Sequence, residues 1–142
     1  MLGPLLSPLQ AFAYVLLRFI LGLTFAFHGI QKIFGVFGGD QPDVMSQFWI
    51  GGMIELICGF AIAVGFLTRL AAFLASGTMA VAYTQFHWKP WDNSLFDTSF
   101  FPAVNGGELA LVYCLVFFYV ACAGAGRYSV DAKIRQKAPN RL

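Results

Sequence analysis

Charged residues are scarce in this sequence, and their scarcity excludes an ordinary soluble domain. Asp, Glu, Lys and Arg make up 11% of the 142 residues, whereas 58% are hydrophobic, and the mean hydropathy is +0.70. Soluble domains carry about 25% charged residues. The composition therefore indicates one small integral membrane domain, and it gives no reason to invoke a nucleic-acid partner.

The sequence also lacks paired cysteines and cofactor motifs. Cys58, Cys114 and Cys122 each fall inside an apolar stretch, and none forms a Cys-x-x-Cys pair. This pattern argues against a thiol redox site or a metal–thiolate cluster. No haem, iron–sulfur, flavin, nicotinamide or metal motif is present. If the chain takes part in redox chemistry, its electrons must come from a partner.

Basic residues are missing before Arg18, and the first apolar run continues well past the length of a secretory signal. Both features disfavour a cleaved signal peptide. The first apolar helix is therefore expected to remain in the protein.

Four apolar stretches are long enough, or nearly so, to cross a hydrocarbon core of about 30 Å, which takes about 20 helical residues. They cover residues 12–34, 48–67, 70–86 and 104–123. The predicted fold is all-α, a four-transmembrane-helix bundle over residues 1–126 followed by a basic cytoplasmic tail, 127–142. The short turn before Thr68 makes the second and third helices antiparallel neighbours, and Thr68 can cap the third helix.

The positions of Lys and Arg in short loops predict the orientation. Basic residues concentrate in the tail and in the connection between the second and third helices, whereas the other two loops are acidic. The basic set is Arg69, Arg127, Lys133, Arg135, Lys137 and Arg141, and the acidic set is Asp40, Asp43, Asp92 and Asp97. Both termini are therefore predicted to be cytoplasmic, with a tail that suits anionic lipid headgroups.

A single carboxylate, Glu55, lies inside the second apolar stretch, about 9 Å inward from Trp49. An unpaired charge there costs at least a few kcal/mol, so a basic partner is expected. The first helix offers His28, Lys32 and Arg18, which share one face at about 100° per residue. Two interpretations stay open, a structural ion pair that pins the bundle or a functional site, and the two long basic side chains can also snorkel.

The two halves of the chain resemble each other. Each half has a histidine and a lysine at the end of one helix, then a glycine pair and a carboxylate early in the next helix. The residues are His28, Lys32, Gly51-Gly52 and Glu55 in the first half, and His87, Lys89, Gly106-Gly107 and Glu108 in the second. Two parallel helix-pair repeats would bring both histidines and both carboxylates toward one locus in the outer leaflet. Coincidence is the competing explanation, and Glu108 is also favourable at a helix N-terminus through the dipole alone.

The order and spacing of several motifs resemble the DoxX family of small four-helix membrane proteins. The motifs are Arg18, Phe27-His28-Gly29-x-x-Lys32, Gly51-Gly52-x-x-Glu55, Thr68-Arg69, Asn105-Gly106-Gly107-Glu108 and Gly124-x-Gly126-Arg127-Tyr128-Ser129-x-Asp131. The resemblance implies a multi-pass protein of a prokaryotic inner membrane. It also implies a link to membrane redox systems, since the family takes its name from a subunit of a thiosulfate:quinone oxidoreductase.

Three functions fit these features. The first is a quinone-linked redox protein or a subunit of a membrane oxidoreductase. In it Glu55 and His28 are the catalytic residues: Glu55 exchanges protons with the quinone, and His28 donates a hydrogen bond to one quinone carbonyl. The second is a non-catalytic accessory or assembly subunit, and the third is a small-solute or proton pathway, which would need oligomerisation. Expected partners are the lipid bilayer and a membrane protein or a second copy of the chain. The predicted substrate-binding residues are Arg18, Lys32, His87, Asn105 and Glu108.

Overall fold

The computed structural model describes residues 6–92 and 98–137, and within these ranges the fold is all helical. The main helices are α1 (Gln10–Phe34), α2 (Gln47–Val64), α3 (Thr68–Ala82), α4 (Glu108–Ala123) and the shorter α5 (Val130–Lys137). Helix α3 continues as a π-helical segment, Tyr83–Trp88, and a short helix, Pro102–Asn105, precedes α4. Residues 93–97 of the second acidic loop, with Asp97, and residues 138–142 of the basic tail, with Arg141, lie outside the described residues.

Two helices are long and apolar enough to cross a membrane, Ser7–Phe34 and Gln47–Val64. Helix α4 is equally apolar in character but shorter, at 16 residues. The predicted spans coincide with α1 to α4 except at their ends. The second predicted span runs to residue 67, but α2 ends at Val64 because Gly65 takes a left-handed conformation, with φ 74°, and closes the helix.

The bundle is built from two antiparallel helix pairs, α1 with α2 and α3 with α4, which meet along α2 and α3. Glycines allow the first pair to approach closely. A Cβ atom on Gly22 would lie 2.5 Å from the backbone nitrogen of Ala63, and one on Gly59 would lie 2.5 Å from that of Ala26. Backbones this close leave no room for a side chain at either glycine.

Aromatic side chains fill the wider space between α1 and α4. The ring of Phe25 lies 4.8 Å from that of Phe117 and 5.5 Å from that of Tyr113, centroid to centroid. The Tyr113 hydroxyl donates a hydrogen bond of 2.8 Å to Oγ1 of Thr24. The core therefore lies between all four helices, with Phe25 and Phe117 almost completely buried.

Arg18 fastens one end of the bundle. Its side chain is only 2% exposed, and its guanidinium donates hydrogen bonds to the carbonyls of Ile62, Ala63 and Tyr128. The last two bonds measure 3.0 Å each. We call this arrangement the Arg18 clamp, since it ties α1 to the end of α2 and to the loop before α5.

Asp131 on α5 caps the start of α3. Its carboxylate accepts hydrogen bonds from the backbone nitrogens of Leu67 and Thr68, at 2.9 and 3.0 Å, and from the Thr68 hydroxyl at 2.9 Å. The prediction that Thr68 caps α3 was wrong, because Leu67 occupies the cap position in a left-handed conformation and makes no side-chain bond. The cap comes instead from a residue more than 60 positions away in the chain.

Candidate functional site

Glu55 forms an ion pair with Lys32 in the half of the bundle far from the Arg18 clamp. The distance from Lys32 Nζ to Glu55 Oε1 is 2.6 Å, and the two side chains are 33% and 3% exposed. Glycines again bring the helices together, since a Cβ on Gly29 would lie 2.4 Å from the nitrogen of Leu56. This close contact lets a lysine on α1 reach a carboxylate buried in α2.

The second carboxylate oxygen of Glu55, Oε2, is buried and has no hydrogen-bond partner within residues 6–92 and 98–137. Buried polar atoms are nearly always paired, and leaving one unpaired costs about 1–3 kcal/mol, more for a charged group. An ion pair that served packing alone would be expected to occupy both oxygens. Glu55 therefore keeps one buried hydrogen-bond acceptor without a partner among the described residues.

Two histidines face the same space. A pocket of about 260 Å³ is lined by His28, Lys32, Glu55 and His87, together with apolar side chains and Tyr113. We call these first four residues the Glu55 cluster. The cluster joins three helical segments, α1, α2 and the π-helical segment that follows α3.

The two histidines differ in how they are held. His87 donates through Nδ1 to the carbonyl of Asn105, at 3.2 Å, which leaves Nε2 as the free nitrogen of the neutral ring. The ring of His28 stands edge-on to that of Tyr113, with centroids 6.4 Å apart, and makes no hydrogen bond to any described residue. The neutral His87 ring can therefore accept one further hydrogen bond through Nε2, whereas both nitrogens of His28 are available.

The π-helical segment Tyr83–Trp88 sets the position of His87. Such segments occur mostly as short insertions in α-helices and are frequent at functional sites. The Tyr83 hydroxyl fixes this one by donating a hydrogen bond of 2.6 Å to the carbonyl of Phe100. Lys89 ends it in a left-handed conformation, with φ 50°.

An apolar cleft of about 450 Å³ opens between α2 and α3, with Lys32 and Glu55 at its polar end. Gly51 and Gly77 line the cleft, and a Cβ on either glycine would meet no atom within 4 Å. The remaining lining is largely apolar and includes Phe48, Ile50, Ile54, Phe73, Leu74, Met79 and Phe86.

A second approach to the cluster comes from the loop between α1 and α2. A pocket of about 370 Å³ there is lined by His28, Gln31, Lys32 and Asp40, among others. Lys32 thus lines all three cavities, and Glu55 lines two of them. The ion pair stands where an apolar cleft and a polar pocket meet.

The comparison with known families gives the identity that the motifs pointed to. The family model for DoxX matches residues 13–88, more than half of the chain. The chain belongs to the DoxX family. The matched region includes the whole Glu55 cluster and Arg18, whereas Asn105 and Glu108 lie beyond it.

Two relatives extend the match to most of the chain. A protein of Haemophilus influenzae is 35% identical over 125 residues, which cover 85% of this chain and 90% of the relative. An uncharacterized membrane protein of Mycobacterium tuberculosis is 25% identical over 134 residues, 87% of this chain and 82% of the relative. No solved structure matches.

The structure of this DoxX protein separates the other predicted site residues from the cluster. Arg18 lies fourteen residues before Lys32 on α1, about 21 Å away along the helix axis, and is engaged in its clamp. Glu108 is exposed in the first turn of α4 and does not line the pocket of the cluster. Its position fits the helix-dipole explanation.

Asn105 holds His87 in place and does not line the pocket of the cluster. Its Oδ1 accepts a hydrogen bond of 2.7 Å from the nitrogen of Gly107, and its Nδ2 donates one of 2.8 Å to the carbonyl of Ser99. The side chain thus orders the connection before α4, and the Asn105 carbonyl receives the bond from His87. Asn105 contacts the cluster only through His87.

Sequence reasoning missed Tyr113, which lines the pocket and contacts His28. An aromatic residue in an apolar stretch is usually a core residue, so nothing in the local pattern singled it out. The repeat pointed instead to Glu108. Glu108 is the first residue of α4, whereas Glu55 lies in the middle of α2, so the two carboxylates are not at equivalent depths.

Proposed function

We propose that this DoxX protein spans a prokaryotic inner membrane with α1 to α4 and binds a quinone at the Glu55 cluster, as part of a membrane oxidoreductase system. Helix α3 reaches the length of a span through its π-helical continuation. The distribution of Lys and Arg supports an orientation with both termini in the cytoplasm. The Glu55 cluster then lies toward the external side.

The free Oε2 of Glu55 is the observation that carries this proposal. When ionised, Oε2 accepts a hydrogen bond from the hydroxyl of a reduced quinone ring, and when protonated it donates one to the carbonyl of the oxidised ring. Lys32 Nζ, 2.6 Å from Oε1, places a positive charge beside the carboxylate. Glu55 is thereby suited to pass a proton to or from the ring.

The cleft between α2 and α3 suits an apolar ring and its isoprenoid tail. Its rim carries side chains that are well exposed on the bundle surface, Phe73 at 62% and Leu74 at 45%. In a membrane that surface faces lipid, so a quinone can enter sideways from the bilayer. The headgroup then meets Lys32 and Glu55 at the polar end of the cleft.

Protons and electrons take separate routes. Reduction of one quinone consumes two protons and two electrons, and oxidation of the quinol releases them. The loop pocket beside His28 and Lys32 offers the protons a path to the aqueous side. The electrons require a reduced redox protein as donor, since the sequence has no electron-carrying cofactor motif.

The test is binding of a short-tailed quinone analogue to the purified full-length protein in lipid nanodiscs. Glu55→Gln and His28→Ala should each weaken binding by about tenfold or more, which corresponds to about 1.4 kcal/mol. Glu108→Gln is the matched control, because it makes the same change at an exposed carboxylate outside the cluster. Its affinity should equal that of the wild type.

Three outcomes would overturn the proposal. Absence of binding, or binding unchanged in both cluster variants, would remove the quinone site. A stoichiometric membrane partner that co-purifies without quinone binding would favour the accessory-subunit function. Proton flux into liposomes without quinone, lost in Glu55→Gln, would favour the proton pathway.

A further inference from the structure

A further cavity, separate from the three around the Glu55 cluster, lies at the end of the bundle that carries the Arg18 clamp. It measures about 660 Å³ and is lined by Arg69, Arg127 and Arg135 around the loop that contains Gly124 and Gly126. No carboxylate of the described residues lines it. We call this cavity the arginine pocket, and the quinone proposal makes no use of it.

Arg69 is held in place by the end of α4. Its Nη1 donates to the carbonyls of Ala121 and Cys122, at 2.8 and 2.6 Å. The opposite edge of the guanidinium faces Gly124, where a Cβ would lie 3.1 Å from Nη2 and 3.2 Å from Nε. Glycine at this position, with φ 83°, therefore leaves an edge uncovered that can bind a phosphate through two hydrogen bonds.

Helix α5 brings Arg135 to the pocket, and the loop before α5 brings Arg127. Asp131 fixes α5 against the start of α3, and Arg135 lies one turn further along the same helix. The Asp131 carboxylate is occupied by Leu67 and Thr68 and does not line the pocket. The three arginines therefore line the pocket without a carboxylate in its lining, and the Asp131 carboxylate, which feels the charge of Arg135, lies outside it.

Exposed apolar side chains surround this end of the bundle. Leu67, Leu70 and Ile134 are 55%, 57% and 51% exposed. They line an adjoining groove of about 400 Å³, whose charged lining residues are Arg69, Arg135 and Asp131, the last with its carboxylate bonded to Leu67 and Thr68. A ligand that fits both surfaces has an anionic headgroup and a hydrocarbon chain.

We propose that the arginine pocket binds the phosphate of an anionic phospholipid, whose acyl chain lies along the groove between α3 and α5. The phosphate meets the uncovered edge of Arg69 and the charges of Arg127 and Arg135. Basic residues near a membrane surface attract anionic lipid. The site anchors α5 to the bilayer at the end of the bundle away from the Glu55 cluster.

The experiment is native mass spectrometry of the full-length protein in detergent, with phosphatidylglycerol, phosphatidylcholine or inorganic phosphate added. Phosphatidylglycerol should remain bound and phosphatidylcholine should not. The Arg69→Gln/Arg135→Gln variant should lose the bound lipid by about tenfold or more. Lys133→Gln should not, since it removes a charge from the same helix outside the pocket.

Arg127→Gln separates a loss of lipid binding from a folding defect. Arg127 makes no hydrogen bond among the described residues, whereas Arg69 bonds to the end of α4 and its loss can destabilise the fold. This variant should weaken lipid binding while the thermal melting of the protein stays unchanged. Equal lipid loss in Lys133→Gln, or equal retention of phosphatidylcholine, would overturn the proposal. Displacement of the lipid by millimolar inorganic phosphate would also overturn it, in favour of a site for free phosphate.

Discussion

The two ends of the bundle each bury one charged side chain to a similar extent, but the two side chains differ in how many of their polar atoms have hydrogen-bond partners. Arg18 is 2% exposed and Glu55 is 3% exposed. Both terminal nitrogens of Arg18 bond to carbonyls and only Nε lacks a partner. Glu55 pairs through one oxygen, leaves the other without a partner, and lines two cavities. Burial of a charge therefore does not by itself indicate a site. A buried polar atom without a partner, on a residue that lines a cavity, is a stronger indication of a functional site.

Loss of the Arg18 clamp should have the largest effect on stability. Arg18→Met removes the guanidinium that donates to the carbonyls of Ile62, Ala63 and Tyr128, and hydrogen bonds to charged groups contribute about 1.5–3 kcal/mol each. We expect the free energy of unfolding to fall by about 3–5 kcal/mol. Unfolding in mixed detergent micelles measures this loss, with Lys133→Met on exposed α5 as control.

Quinone binding by Arg18→Met tests whether the two ends of the bundle act independently. The fraction of Arg18→Met that remains folded should bind the quinone analogue as the wild type does, because the clamp lies about 21 Å from Lys32 along α1. An Arg18→Met protein as stable as Lys133→Met would contradict the structural role of the clamp.

Loss of the Lys32–Glu55 ion pair at the other end should reduce stability less, and the effects of the two substitutions should not be additive. Lys32→Met strands the Glu55 carboxylate and should cost about 2 kcal/mol, because Glu55 can protonate and Lys32 is already one-third exposed. Glu55→Gln should cost less than about 1 kcal/mol, since it removes the buried charge. The double variant should recover most of the loss caused by Lys32→Met, and strictly additive losses would argue against the pair.

The sequence could predict the all-α fold class, which is confirmed for the described residues, but it could not place each charge. Burial of Glu55 demanded a basic partner, and helix geometry put Arg18, His28 and Lys32 on one face of α1. Helical angle says which residues share a face, but their depth relative to α2 depends on how the two helices pack. The glycine contacts settle that depth and select Lys32 over Arg18. The four membrane spans and their orientation stay predictions.

Contacts between distant parts of the chain were beyond the reach of local patterns. Asp131 caps α3 across more than 60 residues, and Tyr113 reaches His28 across the bundle. The internal repeat did suggest that His87 and His28 face one locus, and the structure brings these two rings to one pocket. It misplaced Glu108, because the repeat aligned sequence positions and not depths along the helices.

Adding a methyl group should destabilise the protein more at the close contact between α1 and α2 than in the open cleft. A Cβ at residue 29 would overlap the backbone of Leu56, so Gly29→Ala should cost about 1–3 kcal/mol and weaken quinone binding by shifting Glu55 away from Lys32. Gly77→Ala makes the same change where nothing lies within 4 Å. It should be neutral or stabilise the protein by about 0.5–1 kcal/mol, as alanine favours helix. Equal melting temperatures for the two variants would contradict this packing.

The Asp131 cap should give the smallest effect, with a defined pH dependence. Burial alone raises the pKa of the Asp131 carboxyl, but hydrogen bonds from Thr68 and Leu67 and the charge of Arg135 lower it more, so its pKa lies below the ordinary value. Loss of such a cap costs about 0.5–2 kcal/mol, and Asp131→Asn should lose about 1 kcal/mol near neutral pH. Hydrogen exchange at the first amides of α3 should rise in the variant.

The sign of the pH effect follows from the lowered pKa. A carboxyl that ionises more readily in the folded state stabilises the fold above its unfolded pKa, about 3.9 for Asp. This contribution is lost as the pH falls through the lower folded pKa. The stability difference between wild type and Asp131→Asn should therefore be constant from pH 7 to about 5 and shrink below about 4. A difference that grew on acidification would show that the cap does not depend on the ionised carboxylate, which would contradict the lowered pKa of Asp131.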